Sequence, residues 1–411
     1  MSKITRNGES FLDFKKRSKT SDFPTSFCHY IQSFGETYFW EKGNFHVITK
    51  AHHAREVLTS DAYSADRSSF FISRMPKLDL GLIPDFFGVV SKMMVMSDDQ
   101  DHTKRRNLAA HGFEDQVLER FSEKLLLTVK LLLEEIKDKK EVEFVESVAK
   151  KLPSLILADL FSIPAGEREQ FTKWSSTMTG FFGGASQYRN EDGIEVNQAA
   201  LSLKHYFTKL IEDRKKTPGE DYVSLLLNSP EIENFSHDEV LSQLIMMLVA
   251  GMATTTDQVS NIMFQLATHP EIQKEVRENK NLIPSMIEEC KRFDPAVTFI
   301  FRVVRKETSI GEQTMAIGDV VFISTHAINR DMNSDLAPDI LNIHRKGTHF
   351  AYGYGAHYCI GARLARMEMK ALFEELLTGL PPFELDQSKD SIRDHYSLSF
   401  SGFQQLNLII N

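Results

Sequence analysis

Cys359 is the residue whose setting could do the most chemistry. It stands in Phe350-Ala351-Tyr352-Gly353-Tyr354-Gly355-Ala356-His357-Tyr358-Cys359-Ile360-Gly361. A cysteine acts as nucleophile or metal ligand through its thiolate. Gly353 and Gly355 let the backbone turn sharply and come close to a flat object. The run from Ala362 to Lys370 reads as helix. Cys359 therefore precedes a helix N-terminus, where backbone N–H groups and the helix dipole favour thiolate over thiol. A thiolate presented by a glycine loop is what an axial ligand to haem iron requires. A strand–turn–helix connection with an inert buried cysteine fits the same stretch.

The whole arrangement resembles the haem-binding loop of the cytochrome P450 family. Gly353, Gly355, His357, Cys359, Gly361, Leu364, Ala365 and Arg366 match that loop. One position departs: Tyr352 stands where the family has phenylalanine, adding a hydroxyl that needs a partner. The resemblance implies that Cys359 ligates the iron of haem b, with Gly353 and Gly361 shaping the loop.

Three further constellations fall in family order. Glu289 and Arg292 lie three residues apart, on one face of a predicted helix. With Arg345 they resemble the family's structural Glu–Arg–Arg triad. His102 and Arg106 lie one helical turn apart. With Arg302 and His357 they match the family's partners for the haem propionates, two carboxylates that need cations or donors. The third is Ala250-Gly251-Met252-Ala253-Thr254-Thr255-Thr256-Asp257. A mid-helix glycine costs about 1 kcal/mol relative to alanine, and threonines are poor helix formers. A core helix with hydroxyls bonded back to carbonyls explains the pattern; so does a site. By resemblance Gly251 leaves room for O2 and Thr254 relays protons. The family's acid before that threonine is Ala253 here, which leaves Asp257, water or the substrate as proton source.

Composition sets the background. The 411 residues are 42% hydrophobic and 26% charged, as in an ordinary globular chain. A net charge of −9 without a basic block argues against nucleic acid as a partner. The N-terminus lacks the apolar core of a signal peptide, and no uninterrupted apolar run reaches about 18 residues. No membrane anchor and a cytoplasmic location are the expectations. Cys28, Cys290 and Cys359 are too few and too scattered for a disulfide framework or a zinc signature, so Cys28 and Cys290 read as packing residues.

The elements that must position these residues are mainly helices with small β-sheets, in a single domain over residues 1–411. Two strands are expected over 37–40 and 45–49 around a Lys42-Gly43-Asn44 turn, then a helix over 51–58. Residues 78–96 read as an irregular pocket-lining loop or broken helix. Helices follow over 101–113, 117–140, 142–160 (broken by Pro153), 167–179 and 196–216. A loop at 181–184 reads as a mobile lid. Ser236 and Glu239 form a capping box for the longest helix, ending before Pro270. Another helix spans 283–293, and a small sheet uses 298–304, 309–310 and 320–324. Residues 398–410 read as a hairpin.

The resemblance implies the cytochrome P450 fold and a haem-thiolate monooxygenase. Electrons would come from a ferredoxin or flavodoxin, and O2 would hydroxylate or desaturate a lipophilic small molecule. A polyketide-like biosynthetic intermediate is the leading substrate class and a fatty acid the runner-up. Arg363, Arg366, Lys370, Lys104 and Arg105 could form a basic docking patch. Pocket residues are expected at 80–95, Val249, Met252, Ala253, 297–300 and 400–403. The competing readings are a peroxide-using fatty-acid hydroxylase and a non-catalytic haem-thiolate binding protein.

Overall fold

A computed structural model describes residues 3–17, 22–73, 78–183, 189–332, 337–394 and 397–411. The helices that frame the centre are α1 (Ala51–Thr59), α2 (Asp99–Ala110), α3 (Lys151–Leu160), α4 (His237–Thr268), α5 (Ile283–Phe293) and α6 (Ala362–Gly379). Helix α4 crosses the middle of the main hydrophobic core, with 22 of its residues buried. It is long and apolar enough to span a membrane, but 67% of its most apolar window is buried inside the protein. The expected capping box opens it: Glu239 N–H donates to Ser236 Oγ, and Ser236 N–H donates to the Glu239 carboxylate at 3.0 Å. That satisfies orphan donors of the first turn and fixes where the helix starts.

A six-stranded sheet flanks the helices, in the order Thr5–Arg6, Thr37–Trp40, Phe45–Ile48, Val320–Ser324, Phe299–Val304, Tyr63–Ser64. Phe301 faces Phe322 across the antiparallel pair, and their rings stack at 4.9 Å. A second, aromatic core fills the space between this sheet and the N-terminal helices. Asn44 takes φ 51° at the expected turn, a conformation asparagine tolerates.

Four expectations are corrected. Pro153 does not break a helix. It occupies the first turn of α3, where its missing N–H is no loss, and the irregularity lies upstream as a π-helical turn at Val145–Ala149. Residues 141–143 form a strand instead of the start of that helix. The C-terminal segment is no hairpin on itself. Phe403–Gln405 pairs with Ile392–Arg393, while Asn407–Ile410 pairs with Phe383–Leu385 and Glu141–Glu143. Only the buried Leu406 separates the two strands, too little chain to reverse direction. Residues 181–183, expected in a lid, continue the helix Arg168–Gly183, and Gly184 lies outside the described residues.

Residues 80–96 are a broken helical stretch, as expected: 3₁₀ turns at Leu80–Leu82 and Met94–Met96 bracket a short helix, Pro84–Val90.

Candidate active site

Cys359 sits two residues ahead of the N-cap of α6, Gly361. Its N–H donates to the Tyr352 carbonyl at 2.9 Å, closing the loop. Gly353 and Gly355 have φ of +75° and +71°, which L side chains rarely adopt, and a Cβ on Gly355 would come within 3.0 Å of the Leu58 carbonyl on α1. The backbone there has no room for anything but glycine. Gly361 has an ordinary φ of −83°, and its N–H bonds the Cys359 sulfur. Cys359 is exposed to the open space beside it, but enclosure by the surrounding protein pushes its thiol up, and that N–H and the charges of Lys291, Arg106 and Arg366 pull it back. Cys28 and Cys290 are buried packing residues, as expected.

The sulfur faces a cavity of about 340 Å³ between α4 and α6. Arg106, Arg302, His357, Gly251, Thr254, Gly353 and Gly361 all line it, so residues as far apart in sequence as 106 and 361 converge there. His102 supports the wall from behind, its ring 3.9 Å from that of His357. Among the described residues no acid forms an ion pair with Arg106 or Arg302, nor with Arg67, which also lines the cavity. Arg67 Nε and His102 Nε2 are buried without a hydrogen-bond partner. Burial pulls Arg302 down to about 10, and burial with the charge of Arg302 pulls Arg67 down to about 9. His357 is held well below its ordinary value by burial and by the charges of Arg302, His102, Arg67 and Arg106. Glu368 cannot compensate, because burial pushes its carboxyl up to about 8 and keeps it neutral. A cation as buried as Arg302, with half-buried Arg67 and Arg106 beside it and no counter-charge, is costly. This cradle fits a dianion, and the two propionates of haem supply one. Arg302→Gln should lower haem affinity about tenfold or more, by loss of a charge-assisted hydrogen bond. Haem retention against apomyoglobin reads the effect.

Sequence reasoning missed Arg67. It lies in Ser64-Ala65-Asp66-Arg67-Ser68 with no periodicity to mark it, and only the fold brings it to the cavity.

On α4, Thr254 Oγ1 donates to the Ala250 carbonyl at 2.8 Å. A side chain on Gly251 would meet Leu157 of α3 at 3.2 Å, so this glycine also permits close helix packing. Asp257 does not reach the cavity. It packs under Gly402, and burial and the charge of Asp394 push its carboxyl up to about 8. The apolar wall comes from Met94, Val95, Met246, Met247, Val297 and Ile300. Four of these, Met94, Val95, Val297 and Ile300, fall in the expected segments 80–95 and 297–300, while Val249, Met252, Ala253 and 400–403 do not line it.

The expected basic patch is largely neutralised. Arg363 pairs with Asp115 and Glu119, Arg366 with Glu288 at 2.7 Å, Lys370 with Glu374 at 3.7 Å, and Arg105 with Glu239 at 3.5 Å. Lys104 is exposed. The face is mixed in charge.

Behind the loop, the expected triad is intact. Glu289 accepts from Arg292 Nε and Nη2 at 2.8 and 2.9 Å, from Arg345 Nε at 3.1 Å, and from the Asn342 N–H at 2.8 Å. Arg292 and Arg345 also donate to the Ile340 carbonyl, tying α5 to the segment that leads into the cysteine loop.

A cysteine loop under a cationic cradle, crossed by one long helix, defines a haem-thiolate protein. The sequence model of the family described as Cytochrome P450 matches residues 9–406. The chain belongs to the cytochrome P450 family and is an oxidoreductase of the monooxygenase type. It is 31% identical over 304 residues to the biotin biosynthesis cytochrome P450 of Bacillus subtilis, covering 73% of this chain and 76% of that protein. It is 30% identical over 320 residues to the polyketide biosynthesis cytochrome P450 PksS of the same organism, covering 77% of each. Among solved structures, P450BioI in complex with an acyl carrier protein ligated to hexadec-9Z-enoic acid superposes with a TM-score of 0.86 at 25% identity, covering 97% of this chain and 100% of that one.

Proposed function

We propose that this protein holds haem b and uses O2, with electrons from a ferredoxin or flavodoxin, to hydroxylate or desaturate a lipophilic acyl or polyketide-like molecule in the cytoplasm. The observation that carries this reading is the cavity itself: one wall bears Cys359, one edge bears unneutralised cations, and the remaining wall is apolar. Haem, when bound, supplies reductive activation of O2, with the Cys359 thiolate donating electron density. Arg67, Arg106, Arg302 and His357 would hold its propionates. Met246, Met247, Val297 and Ile300 exclude water and accept an apolar substrate by burying its surface. Thr254 presents a hydroxyl to the cavity and holds a proton there.

Two of the relatives are named for biotin and polyketide biosynthesis, and the neighbouring structure carries a fatty acyl chain on a carrier protein. These support an acyl or polyketide chain as the substrate class. The test is a screen of fatty acids, acyl thioesters and polyketide fragments for displacement of water from the iron. A Soret shift to shorter wavelength with long acyl compounds is the expected result. No shift with any of them sinks the substrate class.

A second reading has its own observation. Ala253 removes the acid beside Thr254, and Asp257 lies outside the cavity, so the distal wall is poor in acids. That favours peroxide as oxidant over O2. Turnover with hydrogen peroxide but not with a reduced redoxin would establish it. If O2 is the oxidant, Thr254→Ala should cut product formed per O2 consumed by about tenfold or more, within the range for a lost proton-transfer group. Substrate-induced Soret shifts should survive that change.

A further inference from the structure

Lys291 is a lysine in a place lysines rarely occupy. It stands on α5 between the triad residues Glu289 and Arg292, is 2% exposed, and lines the cavity on the cysteine side. Its Nζ lies 3.4 Å from the centroid of the Tyr352 ring. The Arg366 guanidinium lies 4.4 Å from the same centroid. Tyr352 is thus gripped by two cations, and its carbonyl in turn accepts the Cys359 N–H at 2.9 Å. The Tyr352 hydroxyl is buried and finds no partner among the described residues, so the ring is kept for its face and not for its oxygen.

The charges around this ring do not cancel. Glu288 is the acid of the cluster. It accepts from Arg366 at 2.7 and 3.1 Å, from Lys291 at 3.2 Å and meets His349 at 3.2 Å. His349 is held neutral, its pKa lowered chiefly by burial. One carboxylate therefore faces two cations, and both cations act electrostatically on Cys359, which lines the same cavity as Lys291. Burial pulls the Lys291 ammonium down to about 7, with Glu288 and Cys359 holding it up. A buried cation needs an anion, and a cysteine thiolate is the anion this geometry offers.

We propose that Lys291 is a positioning residue, a buried counter-cation that lowers electron donation from the Cys359 thiolate and so sets the reduction potential of the iron it holds. The inference rests on the haem-thiolate reading. A positive charge near the metal favours the reduced, less positive state. In water this would be screened; between α5 and the cysteine loop it is not. Nothing about the motif around Glu289 requires a charge at position 291, because the triad is complete without it.

The test is the haem-loaded protein and its variants Lys291→Met and Lys291→Arg, titrated for reduction potential on the acid side of neutrality. The ferric–ferrous equilibrium of Lys291→Met should move about tenfold toward the ferric side, about 59 mV more negative for a one-electron couple. Lys291→Arg should stay within twofold of the parent. The C–O stretch of the reduced, carbon monoxide-bound Lys291→Met should fall in frequency, because a more donating thiolate strengthens back-bonding; a merely structural lysine would not move it. Should the methionine variant fail to keep haem, Lys291→Gln retains a donor for Glu288 and gives the same comparison. A potential and a C–O stretch unchanged on loss of the charge, with the thiolate band intact, would overturn the proposal. Absence of the thiolate band in the parent protein would instead overturn the reading beneath it.

Discussion

Replacing Cys359 with alanine should abolish the absorption band that marks a thiolate-bound iron in the reduced, carbon monoxide-treated protein, and with it all turnover. The loss is complete because no other described residue on that side of the cavity offers an anionic ligand. Glu368 is neutral by burial, and Tyr352 has its phenol pushed well above the usual range by burial. The fold should survive. The cysteine loop is shaped by Gly353 and Gly355 in left-handed conformations, by the Cys359 N–H to Tyr352 carbonyl bond and by the start of α6, none of which uses the sulfur. Circular dichroism matching the parent, with no thiolate band, is the expected pair of results. A variant that kept the band would show that the iron ligand lies elsewhere.

Removing Glu289 should have the largest effect on stability. Its carboxylate is 5% exposed and holds Arg292 and Arg345 together with a backbone N–H. Glu289→Ala takes away the carboxylate that two buried guanidinium groups share. Breaking a buried ion pair from one side costs about 3–5 kcal/mol. Native domains are stable by about 5–15 kcal/mol, so the variant sits near the threshold of folding. Urea unfolding with haem content followed in parallel should show a midpoint lowered by a corresponding amount and haem lost before secondary structure. Arg345 and Arg292 anchor the segment that leads to the cysteine loop, which is why haem goes first. Glu289→Gln keeps acceptor capacity and should cost less. A midpoint unchanged in Glu289→Ala would mean that the triad is not what holds this region.

Much of the site was legible because its signals are local. A glycine loop ahead of a helix, a Ser–Glu capping box and a Glu–Arg pair three residues apart each depend on a few neighbouring residues. Such patterns act through backbone conformation and short-range hydrogen bonds, and they keep their meaning wherever the segment ends up. The misplacements have one cause. Pro153 breaks a helix only at an interior position, and the π-helical turn upstream puts it in the first turn of α3 instead. The strands at 403–405 and 407–410 alternate as a hairpin would, but their partners lie at 392–393, 383–385 and 141–143.

What could be read without the fold was a resemblance: Cys359, its glycines, His357 and the threonine-bearing helix match the motifs of a haem-thiolate family, and a match along one loop and one helix needs no long-range contact. The tertiary structure alone decided which charges go unanswered. It brought Arg67 into the cradle, placed Lys291 against Tyr352 beneath the cysteine, and turned Asp257 away toward Gly402. Charge balance is summed in three dimensions over residues far apart in the chain, and burial fixes its cost, so no local pattern can carry it.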